Sequence, residues 1–327
     1  MVDENLMPSR TDMPNGKPVG KIVITGAAGL VGQNLVVRLK DAGYTNIVCI
    51  DKHPANTPAL ARMHPDLTVI QADLARDDGW QDSLEGAAAV IQMHAQIGGL
   101  DWAEFEDNNI TATERVLAAM QAADVPYLVH ASSSVVNSMA VDFYTESKKA
   151  QEKLVDACPI PHVTLRPTLM FGWFDRKHLG WLARFMQKVP VFPIPGSGRY
   201  IRQPLYVGDF SAIIIACLES RRTGTYDISG QQKITYIELI RVLRKAVGAK
   251  TPLLRIPYGL FHALLTVYAL VDRNPPFTTK QLKALVTPDE FIVIDWPGIF
   301  GVRSTPLDEA LSVTFNDPRY ASVVLDF

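Results

Sequence analysis

Short apolar, β-branched runs recur through the first half of the chain, and between them apolar positions fall at helical spacing. Lys21-Ile22-Val23-Ile24-Thr25 reads as a buried parallel strand. Leu30, Val31, Leu35, Val36 and Leu39 then repeat with a helical period up to Gly43. Ile47 to Ile50 predicts a second strand and Leu67 to Gln71 a third. Val90 to Met93 predicts a fourth, Tyr127 to Ala131 a fifth and His162 to Arg166 a sixth. Helical patterns cover 101–123 and 142–157. Such alternation predicts an α/β fold with a doubly wound parallel sheet. Beyond Pro167 the pattern breaks: Pro190, Pro193, Pro195, Gly196 and Gly198 mark loops, and apolar helices follow from 236. The expected organisation is a first domain over 19–170, with segments returning to it near 204–229, and a smaller C-terminal domain over 171–327. There is no internal repeat.

Residues 1–18 are polar, rich in Pro, Asn and Asp, and lack the apolar centre of a secretion signal, so a disordered tail is expected. No run reaches 18 consecutive apolar residues, so no transmembrane helix is expected. Tyr258 to Val271 is apolar nearly all round and too short to span a bilayer. It reads first as a buried helix of the second domain. The competing reading is a helix resting on a membrane, although it lacks the strongly polar opposite face of such helices.

The 327 residues suffice for one large domain or two, and 47% hydrophobic content supports a sizeable core. A net charge of −2 gives no basic footprint for nucleic acid, which is excluded as a partner. Cys49, Cys158 and Cys217 each sit in an apolar run. They read as buried thiols of a reducing cytoplasm, not as a disulfide framework or a metal site, and no metal is expected.

Between the first strand and first helix lies Thr25-Gly26-Ala27-Ala28-Gly29-Leu30-Val31-Gly32. A strand, a glycine turn and an amphipathic helix form the context in which such glycines cradle a dinucleotide pyrophosphate at the helix N-terminus, as in a Rossmann fold. The competing reading is an ordinary tight turn. The second strand ends at Asp51, an acidic residue placed to hold the adenosine ribose hydroxyls and repel a 2′-phosphate. NAD is therefore expected over NADP, with Lys52 and His53 softening the preference. Asp73-Leu74 follows the third strand and suits the adenine, or else Asp73 is a helix N-cap.

Downstream, Asp142 opens a helix carrying Tyr144 and Lys148 at i and i+4 on one face. A free tyrosine, with a pKa of about 10, is a poor base at neutral pH. A nearby ammonium and a cationic nicotinamide should lower it, so that the phenol exchanges a proton with a substrate oxygen while hydride moves beside it. The competing reading is a surface Tyr/Lys pair. Ser132-Ser133-Ser134 ends the fifth strand, at the sheet edge where ligands bind, and one hydroxyl should reach Tyr144. Turn chemistry is the plainer reading of those serines.

These motifs resemble an extended short-chain dehydrogenase/reductase of the NAD-dependent epimerase/dehydratase superfamily. The matching pieces are TGAAGLVG at 25–32, Asp51, ADL at 72–74 and DNNITATERVLAAM at 107–120. HASSS at 130–134, YTESKKAQE at 144–152, LRPTLMFG at 165–172 and PLYVGDF at 204–210 extend the match over most of the chain. The resemblance implies Tyr144 as acid/base, Lys148 as its partner and a holder of the nicotinamide ribose, and Ser133 as the substrate-oxygen donor. Ser133 is selected because Val136 stands three residues after it. The implied cofactor set is Gly26, Gly29, Leu30, Val31, Gly32, Asp51, Lys52, Asp73, Leu74, Asn109, Tyr144, Lys148 and Pro167. A homodimer through 101–123 and 142–157 is implied as well.

The departures narrow the substrate. Sugar-nucleotide epimerases carry a long loop between the serine and the tyrosine, but ten residues separate Ser133 from Tyr144 here. Where those enzymes commonly carry an asparagine after the sixth strand, this chain has Thr168-Leu169-Met170. RQPLYVGDF at 202–210, PFTTKQLKALVTPDEF at 276–291 and GVRSTPLDEAL at 301–311 resemble another branch. It contains the dehydrogenase-like accessory subunit of respiratory complex I and bacterial lipid-pathway reductases, one of which reduces an oxidised ceramide. The expected function is hydride transfer between a nicotinamide and a ketone or secondary alcohol of a hydrophobic, lipid-type substrate. Trp173, Phe174, Trp181 and Phe185 are candidates to line its cleft, or else belong to the domain core. The alternatives are a nucleotide-sugar epimerase/dehydratase, with Arg199 and Arg202 on a pyrophosphate, and a non-catalytic cofactor-bound subunit of a membrane complex. The expected location is cytoplasmic, with peripheral contact at the inner face of a membrane.

Overall fold

The structure is a computed structural model and describes residues 20–139, 141–271, 279–286 and 290–326. The tail expected at 1–18 lies outside the described residues. The chain divides into two compact units: Met1–Arg166 with Ser211–Tyr226 and Phe300–Val302, and Pro167–Phe210 with Asp227–Ile299 and Arg303–Phe327.

The first unit opens with β1 (Lys21–Thr25), α1 (Leu30–Asp41), β2 (Ile47–Asp51), α2 (Asn56–Met63), β3 (Thr68–Gln71) and β4 (Ala87–Gln92). It continues with α3 (Trp102–Phe105), α4 (Ala112–Ala122), β5 (Leu128–Ala131), α5 (Phe143–Ala157) and β6 (His162–Pro167). Neighbouring strands among β1 to β6 pair in parallel, β1 lying between β2 and β4. The apolar strands predicted from the sequence thus form a doubly wound sheet. Its fourth strand begins three residues earlier than the apolar run Val90–Met93 suggests, because Ala87, Ala88 and Ala89 continue the ladder without bulky side chains.

Beyond β6 come β7 (Met170–Phe171), α6 (Leu179–Lys188), β8 (Phe192–Pro195), β9 (Ile201–Arg202), β10 (Leu205–Tyr206) and α7 (Val207–Ser220). Then follow β11 (Gly224–Ile228), β12 (Ile234–Thr235), α8 (Tyr236–Ala246), β13 (Leu253–Ile256), α9 (Tyr258–Val271), α10 (Thr279–Val286), α11 (Trp296–Phe300) and α12 (Leu307–Asn316). β11 extends the main sheet beside β6, giving the order β11-β6-β5-β4-β1-β2-β3. The strand order reverses between β1 and β4, the position where ligands bind in open α/β sheets.

The first unit has a core of the expected kind. Val23, Ile50, Val90, Val116, Met120, Leu128 and Val155 pack in one cluster, and Trp80 joins it. In the second unit Trp173 and Phe174 are buried against the Tyr320 ring, so they belong to core. Trp181 and Phe185 stack on one another at 5.0 Å, half-buried on α6. Two expectations need correction. Cys49 and Cys217 are buried, and burial pushes both thiols up to about 12, but Cys158 is only half-buried because it follows the end of α5. Helix α9 is not a buried helix: only Phe261 and Leu265 are half-buried among its described side chains, and the rest face outward.

Candidate functional site

At the end of β1 the backbone turns sharply. Gly26 has φ of +71°, and a Cβ there would strike the backbone of His94 at the end of β4. Gly32 lies against the Ala27 backbone, where a Cβ would collide with the carbonyl, so α1 sits closer to the turn than any side chain allows. Gly29 is different. A Cβ there would meet only the Gly26 carbonyl, at 3.5 Å, so its neighbourhood is open. Gly29 is also the N-cap of α1; no side chain caps that helix end, and its first turn has no acidic residue. The amides of Leu30, Val31 and Gly32 therefore present an uncompensated positive end at an open surface, which fits a pyrophosphate.

Asp51 ends β2 beside this turn. Its Oδ2 accepts from the Ala28 amide at 2.9 Å and its Oδ1 from the His53 amide at 2.9 Å. The carboxylate is thereby fixed next to the glycine turn with lone pairs left for ribose hydroxyls. Lys52 reaches Asp73 at 3.1 Å and Asn108 at 2.5 Å. Asp73 also accepts from the Ala75 amide, but in a turn with no helix following, so it is not a helix N-cap, while Leu74 is buried in the core cluster.

The second half of the site stands on β5 and α5. Asp142 is the N-cap of α5, accepting from the Thr145 amide at 2.9 Å, and it starts the helix so that Tyr144 and Lys148 lie one turn apart. Ser133 is the serine that meets Tyr144: their side chains are hydrogen-bonded. Ser132 is buried with its hydroxyl unpartnered, and Ser134 begins a short 3₁₀ turn. Lys148 is 1% exposed, and its Nζ donates to the Ala131 carbonyl at 3.1 Å and to Gln151 Oε1.

The electrostatics depart from expectation. Burial raises the Tyr144 pKa, and the Ser133 hydrogen bond offsets this only in part. Lys148 is not among the groups that lower it, and burial brings the ammonium's own pKa down to about 7, despite the Glu152 carboxylate. In this arrangement the phenol stays protonated at neutral pH.

Sequence reasoning missed a buried polar network behind Lys148. Gln151 and Gln92 both donate to Thr113 Oγ1, at 2.8 and 2.7 Å. The same hydroxyl lies 3.3 Å from His94 Nε2, and His94 Nδ1 lies 2.8 Å from Thr25 Oγ1. The network runs from the end of β1 to Lys148, and burial pushes His94 down to about 3, so its ring is neutral. The only sequence signal was polar Gln92 and His94 closing an apolar strand. Asn109 is buried in a π-helical segment, Glu106–Thr111. Its amide accepts from Gln96 N at 2.6 Å and donates to Ser147 Oγ at 2.8 Å, so it ties the loop after β4 to α5. Pro167 closes β6 and falls in the second unit. No group of three His, Cys, Asp or Glu side chains able to hold a metal occurs among the described residues.

The model of the NAD dependent epimerase/dehydratase family matches residues 22–229. The chain belongs to this family. NAD is the family's cofactor, and the glycine turn, the uncapped α1 terminus and Asp51 fit it. Ceramide reductase of Caulobacter vibrioides is 26% identical over 304 residues, 90% of this chain and 90% of that protein. The 3 beta-hydroxysteroid dehydrogenase/Delta 5-->4-isomerase of Mycobacterium tuberculosis is 27% identical, covering 73% of this chain and 72% of that one. Among solved structures, UDP-glucuronic acid 4-epimerase from Bacillus cereus in complex with NAD has a TM-score of 0.64 at 21% identity. It covers 90% of this chain and 96% of its own, and it shows the fold alone.

Proposed function

We propose that the chain is an oxidoreductase that reduces a ketone, or oxidises the matching secondary alcohol, on a hydrophobic lipid-type substrate, with NAD preferred over NADP. The observation that carries the substrate class is the short segment leading into the tyrosine. Met139 is 97% exposed and Val141 89%, and Phe143, packed edge-on against Trp102 and Phe105, is also exposed. A segment that delivers the acid/base residue while presenting apolar side chains suits an apolar substrate and offers little to a sugar or a phosphate. The ceramide reductase and the hydroxysteroid dehydrogenase among its relatives support the same class.

When bound, the nicotinamide supplies or accepts the hydride. Tyr144 holds the proton. Its raised pKa keeps the phenol protonated, which suits donation to the oxygen of a carbonyl under reduction. Ser133, already hydrogen-bonded to Tyr144, orients that phenol and supplies a second donor for the substrate oxygen. Lys148 places a titrating ammonium behind the pair, held by the Ala131 carbonyl and Gln151. Asp51 carries the NAD preference. Asp51→Asn should weaken NADH binding about tenfold and narrow the gap to NADPH, as loss of a charged acceptor implies.

The test is reduced-nicotinamide absorbance with NADH or NADPH and a panel of long-chain 3-keto lipids. Oxidation that vanishes in Tyr144→Phe supports the reading. Absence of oxidation with every lipid, together with binding of a UDP- or GDP-sugar, would shift the assignment to the nucleotide-sugar epimerase/dehydratase, where exposed Arg199 is available to a pyrophosphate. Tight cofactor binding with no turnover and a stable protein partner would instead favour the non-catalytic subunit. A homodimer through 101–123 and 142–157 is part of the proposal, and light scattering of the purified chain tests it.

A further inference from the structure

Helix α9 is apolar on the wrong side. Phe261 and Leu265, four residues apart, are half-buried and mark its inner face. Beside it runs an outward stripe of Leu260, Ala263, Leu264 and Val267, at i, i+3, i+4 and i+7. There Leu260 is 54% exposed, Leu264 53% and Val267 61%. Tyr258 at the start of the helix lies in line with Phe261 and Leu265 and is 40% exposed there, its ring set against His262. A stripe of large side chains held in water is a cost unless something covers it.

The charge pattern says what covers it. The chain as a whole has 32 Lys and Arg against 34 Asp and Glu. Residues 176–208 and 239–271 together hold eleven Lys and Arg and no Asp or Glu. These two segments contain β8 and β13, which pair in parallel from Phe192↔Leu253 to Pro195↔Ile256. Parallel strands end together: the Gly196 amide donates to the Ile256 carbonyl at 2.7 Å. From that shared end one chain runs into the loop carrying exposed Arg199, and the other runs past exposed Arg255 into α9. Two exposed cations thus stand where the strand pair feeds into the N-terminal end of α9 and its outward apolar stripe.

We propose that α9, with Arg255 and Arg199 at its root, is a docking surface for an anionic phospholipid bilayer. Leu260, Leu264 and Val267 enter the boundary between headgroups and acyl chains, and the arginines meet the phosphates. An anionic surface matches both arginines. The helix lies on the membrane; among the described residues no helix is long and apolar enough to cross one. The surface does not depend on the oxidoreductase reading.

The experiment is sedimentation of the full chain with vesicles of phosphatidylcholine alone or with one-third phosphatidylglycerol, at low and high salt. The wild-type chain should sediment with the anionic vesicles, and more weakly at high salt. Leu264→Glu with Val267→Glu should reduce binding about tenfold or more, and Arg255→Glu about fivefold or more, since each basic side chain adds measurable attraction to an anionic leaflet. Circular dichroism and Tm should not change, because these positions are exposed. The proposal is overturned if the wild-type chain stays in the supernatant, or if the double variant binds as well as wild type. It is equally overturned if the double variant converts a dimer to a monomer in light scattering, which would make a second copy the occupant. Failure of lipid reduction in the absorbance assay leaves all these outcomes unchanged, so the two readings fail separately.

Discussion

Helices α1 and α9 are built from the same kinds of residue and meet opposite fates. In α1, Leu35, Val36 and Leu39 are wholly buried, and Arg38, Lys40 and Asp41 occupy the rest of the surface. In α9, leucines and a valine of the same size point outward, with no charged residue between Tyr258 and Val271. Periodicity explains the first: a helix with a polar side tells its own orientation. The second has no polar side, so its sequence cannot say which face the protein covers. An apolar helix is stable inside a fold only if neighbours reach it from every direction, and among the described residues of α9 only Phe261 and Leu265 are partly covered.

The largest effect is expected at the tyrosine. Tyr144→Phe should lower lipid-ketone reduction by roughly 10²–10⁴-fold, the usual contribution of a general acid. Tm should move little, since only the hydroxyl and its bond to Ser133 are removed. Steady-state rates and thermal melts on the same preparation check both halves. Large loss of Tm would mean that the Tyr144–Ser133 pair is structural.

The contrast between the two helices can be broken directly. Leu35→Ala should cost about 2–5 kcal/mol, as truncations in a packed core do. Leu264→Ala should stay within about 0.5 kcal/mol, as exposed substitutions do. Urea unfolding measures both. A cost at Leu264 comparable to that at Leu35 would show that α9 is covered in solution.

The glycine turn allows a finer version of the same comparison. Gly32→Ala drives a methyl into the Ala27 carbonyl and should destabilise by about 1–3 kcal/mol. Gly29→Ala has a compatible φ of −77° and open space, so stability should hold while NADH binding weakens. Fluorescence titration and unfolding midpoints separate the two. Equal loss of stability would mean that Gly29 serves packing and not the cradle.

These cases show why one half of the molecule was legible in the sequence and the other was not. β1, β2, β3, β5 and β6 are apolar runs bounded by turn residues, and periodicity finds them to within one residue. Tyr144, Lys148 and Ser133 stand out because a helix N-cap and a strand end fix their spacing. The Thr25–His94–Thr113–Gln151 network joins residues up to 88 positions from Thr113 and spans β1, the chain just past β4 and two helices. No local pattern encodes it; only the parallel register brings its members together. The rise of the Tyr144 pKa was missed for a related reason. Spacing predicts that an ammonium is near but not how much water has been removed from around it.

That last point has a consequence for stability. Lys148 has a folded pKa of about 7 against an ordinary 10.5, so the folded state disfavours its charge. Between those values the unfolded chain binds a proton that the folded chain does not, and stability should therefore rise with pH. His94 and His130 are depressed too, but their contribution is complete once the unfolded imidazoles have lost their protons near pH 7. Cys49 and Cys217 act in the opposite sense, and only as unfolded thiols ionise toward pH 9. The interval from about pH 7 to 8.5 thus isolates the lysine. The urea midpoint of the wild-type chain should climb through it, and that of Lys148→Met should be flat. A flat wild-type profile would mean that Lys148 keeps its charge by finding water or an anion, and that the dry pocket behind Tyr144 does not persist in solution.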